Sequence, residues 1–200
     1  MNRQDLLMAG VGGQGIILAS DIVCTAALAC GYDVKKTDTL GMAQRGGSVI
    51  SHVRLADQVC SPLIREGEVE LLVAFEKLEA ARWAHYLRPG GLAIVNNHSI
   101  PPQSVSLGGQ RYPSDEEIRD ILKSRAGSIL FVPGTQQAME LGNVRVLNIF
   151  MLGYLSGFMP FKVRIWKDCI SQYMPKDILA INLAAFDRGR REARNTDIPL

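Results

Sequence analysis

The sequence predicts an α/β fold: a mainly parallel sheet flanked by helices, with a helical C-terminal cap. Three observations predict it. Short apolar runs alternate with stretches of helical period over roughly the first 135 residues, glycines stand at the turns between them, and after Gly134 the chain reads as helical almost to its end. Strands joined through helices return to the same end of the sheet, so the pattern implies parallel pairing.

The elements follow in order. Leu6-Leu7-Met8-Ala9 is a short apolar run ending in glycine, which is the pattern of a buried strand. From Gln14 the period changes: Ile16, Ser20, Val23, Ala27 and Cys30 share one helical face of mostly small residues, suited to close packing on a sheet, and Gly31 supplies the stop. Tyr32 to Thr37 reads as a second strand, and Thr39 to Gly47 as a glycine-rich loop containing no apolar period. Val49, Ser51, Val53 and Leu55 alternate with Ser48, Ile50, His52 and Arg54 in a third strand. Leu71 to Phe75 is a buried-type strand, Glu76 to Leu87 a helix ended by Pro89-Gly90-Gly91, and Leu92 to Val95 the next strand. Pro101 to Tyr112 is polar and turn-rich. Ser114 with Glu117 forms a capping box for a helix to about Arg125, and Ser128 to Val132 is the last strand. Gly142-Asn143, Pro160 and Pro175 divide the helical remainder, about 135–195. Neither a repeat nor a low-complexity linker interrupts residues 1–200, which read as one domain.

Composition narrows the function classes. The 200 residues are 47% hydrophobic and 21% charged, as in an ordinary globular protein, and a net charge of +2 argues against nucleic acid and membrane surfaces as partners. The four cysteines, Cys24, Cys30, Cys60 and Cys169, form no C-x-x-C pair and match no zinc or iron–sulfur spacing. Cys24 and Cys30 fit as small core residues. The N-terminus lacks the apolar core of a signal peptide, and Phe150 to Phe161 is too short and too broken by glycine to span a bilayer. A cytoplasmic location is expected.

Gly10-Val11-Gly12-Gly13-Gln14-Gly15 satisfies G-x-G-x-x-G between a predicted strand and a predicted helix, which makes the predicted fold Rossmann-like. In such a loop the first glycine permits the tight turn, the second lets phosphates approach the backbone, and the third permits close helix–strand packing. The helix N-terminus adds free N–H groups and a partial positive charge. The same glycines also serve a tight turn with nothing bound. A nicotinamide site further needs an acid at the end of the second strand, where Val34-Lys35-Lys36-Thr37-Asp38 offers only Asp38, read as lying in a polar loop after two lysines. The lysines suit a phosphate, as in NADP or coenzyme A, or plain solvation.

The second unusual segment is Thr39-Leu40-Gly41-Met42-Ala43-Gln44-Arg45-Gly46-Gly47-Ser48. Arg45 can bind a phosphate or carboxylate in bidentate fashion, and the glycines let backbone come close. A carboxylate of a partner subunit would satisfy the arginine equally well.

Together, the segments 10–15 and 41–48 resemble the gamma-type subunits of 2-oxoacid:ferredoxin oxidoreductases. The likeness is strongest to the indolepyruvate branch, whose beta subunit carries the same gamma-type domain. Ser51-His52-Val53-Arg54, Ser61-Pro62-Leu63-Ile64 and Glu140-Leu141-Gly142-Asn143 with Asn148 add to it. The resemblance implies a non-redox subunit, inactive alone. Its complex decarboxylates a 2-oxoacid on thiamine diphosphate and magnesium, passes electrons through [4Fe–4S] clusters to ferredoxin, and transfers the acyl group to coenzyme A. Those groups belong with the partner subunits. This chain is expected to bind no cofactor tightly and no metal, and to carry no catalytic residue. Gly10, Gly12, Gly13, Gln14, Gly15, Gly41, Met42, Gln44, Arg45, Gly46, Gly47 and Ser48 are the candidates for coenzyme A or partner contact. The alternatives are a self-sufficient NAD(P)-binding oxidoreductase and a purely structural assembly module.

Other polar residues fit structural roles. Gly67-Glu68-Val69 before Asn96-Asn97 approaches a thiamine-site pattern, but glutamate replaces the aspartate and valine the last glycine, so Asn96-Asn97 reads as a strand end. His52, His85 and His98 are scattered, and His52 suits a buried hydrogen-bonded position. Lys162, Arg164, Trp166 and Lys167 read as a surface or subunit-contact patch. Arg188, Arg190, Arg191 and Arg194 suit the negative end of the last helix.

Overall fold

A computed structural model describes residues 3–40 and 46–196, leaving aside the side chains of Leu40 and Ser106. The candidates Gly41, Met42, Gln44 and Arg45 lie outside the described residues. The described strands are β1 (Gln4–Val11), β2 (Asp33–Leu40), β3 (Ser48–Ala56), β4 (Val69–Ala74), β5 (Leu87–Asn96) and β6 (Ser128–Val132). They form one mixed sheet in the order β2-β3-β1-β4-β5-β6. The pairs β1–β4, β4–β5 and β5–β6 are parallel, whereas β3 runs antiparallel to both β1 and β2. Five strands therefore point one way and β3 points the other. The mainly parallel α/β prediction holds, with β3 as its exception.

Helix α1 (Ile16–Ala29) joins β1 to β2; α2 (Lys77–Trp83) and α4 (Asp115–Lys123) follow β4 and β5, with a one-turn α3 (Gln103–Ser106) between them. The C-terminal cap is α5 (Gly134–Glu140), α6 (Leu147–Leu155), α7 (Val163–Tyr173) and α8 (Lys176–Arg194). Alternation along each strand divides the core. Leu6 and Met8 of β1 face the cluster built with α1, α6, α7 and α8, while Leu7 and Ala9 face the cluster built with α2 and α4. All residues of α6 are buried, as suits a helix apolar on every side. It crosses α8 at two glycines: a Cβ on Gly153 would overlap the Phe186 carbonyl oxygen, and one on Gly189 would overlap that of Phe150. Among the described residues, no helix is long and apolar enough to cross a membrane.

Three expectations need correction. Pro89-Gly90-Gly91 does not precede a strand but lies inside β5, where the ladder shifts register between Val69 and Leu71. A proline is tolerated at such an irregularity because it owes no ladder hydrogen bond there, and Gly127 packs so closely on Gly90 that a Cβ would lie 2.6 Å from the Gly90 Cα. Asp38 lies in strand β2, not in a loop. That strand is an edge, where Lys35 and Lys36 keep the exposed ladder polar, and this is why its sequence reads as a loop. Trp166 is fully buried, packing near Phe161 and Phe186, so it belongs to the core and not to a surface patch.

Candidate functional site

The sheet changes connection direction at β1. From β1 the chain passes to β2 and β3 on one side, then returns to β4, β5 and β6 on the other. Crevices beyond the carboxyl ends of strands at such a point are where ligands bind in open α/β sheets. The first glycine segment sits there. Gly10 has no room for a side chain: a Cβ would come within 2.9 Å of Gln14 Oε1 and Ile16 Cδ1. Gly13 and Gly15 have φ of 109° and 79°, a left-handed backbone that side-chain-bearing residues rarely adopt. Gly15 caps α1 without any side-chain hydrogen bond, so the first-turn N–H groups of α1 keep their donors free at the loop.

The structure brings the two glycine segments together. Gly12 N donates to Gly47 O at 2.8 Å, and Gly46 N donates to Gly12 O at 3.3 Å. Antiparallel pairing of Val11 with Ser48 continues the same ladder into β1 and β3. Two segments more than thirty residues apart thus form one backbone surface in front of α1.

Gln14 holds that surface in place. Its Oε1 accepts from Val11 N at 2.8 Å, and its Nε2 donates to Phe75 O at 2.8 Å, beyond the end of β4. Asn96, at the end of β5, donates to the same Phe75 carbonyl at 2.9 Å and to Thr135 Oγ1 at 2.9 Å, and its Oδ1 accepts from Thr135 N at 3.0 Å. A chain of amide hydrogen bonds therefore locks the loop after β1 to the ends of β4 and β5 and to the start of α5. Asn96 does end its strand, as expected; its joining of β5 to the end of β4 and to α5 has no local sequence signal. Ser48 is held by α2, with its hydroxyl bonded to Glu79 and accepting from Trp83 Nε1 at 3.2 Å.

Beside the loop lies a cleft of about 330 Å³, lined by Gly13, Gln14, Gly15, Thr135, Arg145 and Asn148, with His98 and Ile100 also on its wall. Asn148 is only 5% exposed. Its Oδ1 accepts from Ile149 N at 2.9 Å, while its Nδ2 lies 2.6 Å from where a Gly15 Cβ would be, which explains the third glycine. The motif's usual requirement for helix–strand contact is here a requirement for contact with α6. The Arg145 guanidinium has no ion-pair partner among the described residues. A second hollow of about 560 Å³ lies across the loop, lined by Gly12, Ile16, Ile17, Leu18, Asp21 and Val49. Helix dipole, free amides, one amide side chain and one guanidinium make the cleft suited to an anion. A lone asparagine inside the apolar run Leu147–Leu155 was the available sequence signal for this wall.

The acid considered for a ribose is engaged elsewhere. Asp38 Oδ1 accepts from Ser51 Oγ at 2.6 Å, and its Oδ2 lies 3.1 Å from Lys36 Nζ. Strand β3 also separates β2 from β1, so Asp38 stands two strands, about 10 Å, from the glycine loop. Lys36 bridges Asp38 to Asp21 and Ser20 and is bound into this network rather than free for a phosphate. His52 is 2% exposed, accepts from Ile64 N at 3.4 Å, and packs edge-on against Tyr86; burial, then Arg54, lower its pKa. Among the described residues, no three His, Cys, Asp or Glu side chains are placed to hold a metal ion. Asn96 is fully buried with its amide bonded to protein, so it does not fit a magnesium ligand of a thiamine site.

The model of the pyruvate ferredoxin/flavodoxin oxidoreductase family matches residues 5–192. The chain belongs to that family. It is 38% identical over 198 residues to the indolepyruvate oxidoreductase subunit IorB of Pyrococcus horikoshii, covering 97% of this chain and 98% of that protein. The 2-oxoglutarate synthase subunit KorC of Methanothermobacter thermautotrophicus is 29% identical over 192 residues, covering 94% of each. The keto/oxoacid ferredoxin oxidoreductase gamma subunit of Geobacter sulfurreducens superposes with a TM-score of 0.71 at 22% identity, over 96% of this chain and 99% of that one. A 2-oxoglutarate:ferredoxin oxidoreductase of Magnetococcus marinus, solved with 2-oxoglutarate, coenzyme A and succinyl-CoA bound, has a TM-score of 0.77 at 23% identity; this chain is fully covered but spans only 32% of that one. These structures share the fold.

Proposed function

We propose that this chain is the non-redox subunit of a 2-oxoacid:ferredoxin oxidoreductase and that its joined glycine segments form the coenzyme A side of an active site completed by partner subunits. The observation that carries the proposal is the Gly12–Gly47 backbone link in front of the uncapped N-terminus of α1. It creates an amide-rich surface beside a cleft that holds Arg145 and Asn148. A pyrophosphate or 3′-phosphate would be stabilised there by the helix dipole and by charge-assisted hydrogen bonds. Gly12, Gly13 and Gly15 provide approach, Gly10 and Gln14 fix the loop, and Arg45 supplies a guanidinium from the same segment as Gly46 and Gly47.

Thiamine diphosphate, magnesium and [4Fe–4S] clusters belong, on this reading, with the partner subunits, and ferredoxin is reached through them. The chain binds, orients and shields; it supplies no proton or electron. The name of the 38% identical relative favours an aryl pyruvate of the indolepyruvate type as the 2-oxoacid.

Co-expression with the thiamine and iron–sulfur subunits tests the proposal. The purified complex should oxidise a 2-oxoacid with coenzyme A, and aryl pyruvates should be preferred in a substrate panel. Omitting this chain should abolish turnover. Arg45→Ala should raise the KM for coenzyme A and leave that for the 2-oxoacid unchanged. Full activity without the chain would overturn the proposal.

A further inference from the structure

The last helix carries a feature that the glycine site leaves unused. Arg190, Arg191 and Arg194, together with Asp187, line an open groove of about 470 Å³ whose apolar floor is Leu141, Val163 and Ala184. The acids nearby are already paired: Asp187 with Lys167 at 2.7 Å, and Glu140 and Glu192 with Arg188 at 3.3 and 3.7 Å. None of the three groove guanidiniums has a carboxylate partner among the described residues. Arg190 is anchored by Nη1 to the Ser156 carbonyl at 2.8 Å and to its hydroxyl at 3.0 Å, while its Nε is buried with no acceptor. Burial and the neighbouring Arg194 both disfavour its charge. Three like charges thus share the groove with one carboxylate, that of Asp187, which is already paired to Lys167, and this is more positive charge than the negative end of a helix requires.

We propose that this groove docks an acidic segment of a partner subunit, with carboxylates on the arginines and an apolar side chain on the floor. The inference rests on the reading of the chain as a subunit. Val163 at the start of α7 also lines the groove, so it is the spacing of the arginines that favours protein carboxylates over a small phosphate. The arginines span four residues of α8, about 6 Å along the axis, which matches acids one helical turn apart on a partner. Arginine beside apolar surface is also the composition of interface anchors.

The test is binding of the purified thiamine-diphosphate partner subunit, immobilised and titrated with this chain at low and high salt. Arg191→Gln/Arg194→Gln should weaken binding at least tenfold at low salt, Arg191→Glu/Arg194→Glu should abolish it, and the differences should shrink at high salt. Thermal midpoints should match the wild type, since Arg190 and its anchor are left in place. Variants that bind within twofold of a binding wild type overturn the groove proposal alone. A wild-type chain that does not bind the partner overturns the subunit reading together with it. Arginine-dependent binding of inorganic pyrophosphate with unchanged partner affinity reassigns the groove to a small anion and also overturns the proposal.

Discussion

Replacing Asn96 by alanine tests whether the strand-end amide chain holds the candidate site together. Asn96 is fully buried and makes three hydrogen bonds: one to Phe75 O, one to Thr135 Oγ1 and one from Thr135 N. The variant would not affect all three partners equally. Phe75 O keeps its bond from Gln14 Nε2 at 2.8 Å, and the Thr135 hydroxyl can rotate. Thr135 N is the group left without a partner, on a residue only 7% exposed. An unsatisfied buried donor costs about 1–3 kcal/mol, and the two other lost bonds add about 0.5–1.5 kcal/mol each before relaxation. Asn96→Ala should therefore lose about 3 kcal/mol, or about 6–12 °C in Tm at this chain length. Urea denaturation measures it, through a lowered midpoint at an unchanged slope. The neighbouring Asn97 is exposed, and Asn97→Ala should stay within about 0.5 kcal/mol of wild type. Equal stability of the two variants would refute the reasoning.

Further predictions follow from other contacts. Gly153→Ala and Gly189→Ala each push a methyl group into a carbonyl across the α6–α8 crossing and should cost upwards of about 3 kcal/mol, read by the same titration. Arg111 and the Ser114 amide hold the exposed Glu117 carboxyl down to about 2, so its contribution is present above the ordinary carboxylate range and is lost as pH falls through about 2. Glu117→Gln should accordingly flatten the acid side of the stability profile between about pH 4 and pH 2; an unchanged profile would contradict that assignment. Burial pushes the Cys24 thiol up to about 12, so at pH 8 a thiol reagent should label the exposed Cys60 quickly and the half-buried Cys24 far more slowly. Labelling of Cys24 as fast as Cys60, mapped by mass spectrometry, would contradict the raised thiol pKa.

The parts of the molecule legible in the sequence are those governed by local period. The runs at Leu6 and Leu71 are strands because both faces are buried, the apolar run at Ser128 pairs as the half-buried edge strand β6, and the capping box at Ser114 starts α4 as its residue spacing requires. Three features depend on tertiary context. Insertion of β3 between β2 and β1 is a pairing choice made across the sheet, and neither strand's own pattern encodes it. The Pro89-Gly90-Gly91 stop is bridged because β5 pairs with β4 on both sides of it, at Leu87 and again from Leu92. Asn96, Thr135 and Asn148 are single polar residues whose roles exist only once β4, β5, α5 and α6 converge, although Asn148 stood out inside an apolar run. The glycine loop carried the strongest local signal, yet its partner segment gave it meaning. The bonds from Gly12 to Gly46 and Gly47 replace an NAD-type geometry with a two-segment surface.

We propose above that this surface and its cleft face coenzyme A. The most direct measurement is the KM for coenzyme A in the reconstituted complex carrying Arg145→Ala or Asn148→Asp. Losing a charge-assisted bond, or placing a carboxylate against a phosphate, costs about 1.5–3 kcal/mol. A rise in that KM of about 10- to 150-fold is therefore expected, with the 2-oxoacid KM and the assembly of the complex unchanged. A KM for coenzyme A within twofold of wild type in both variants, in an intact complex, would contradict it.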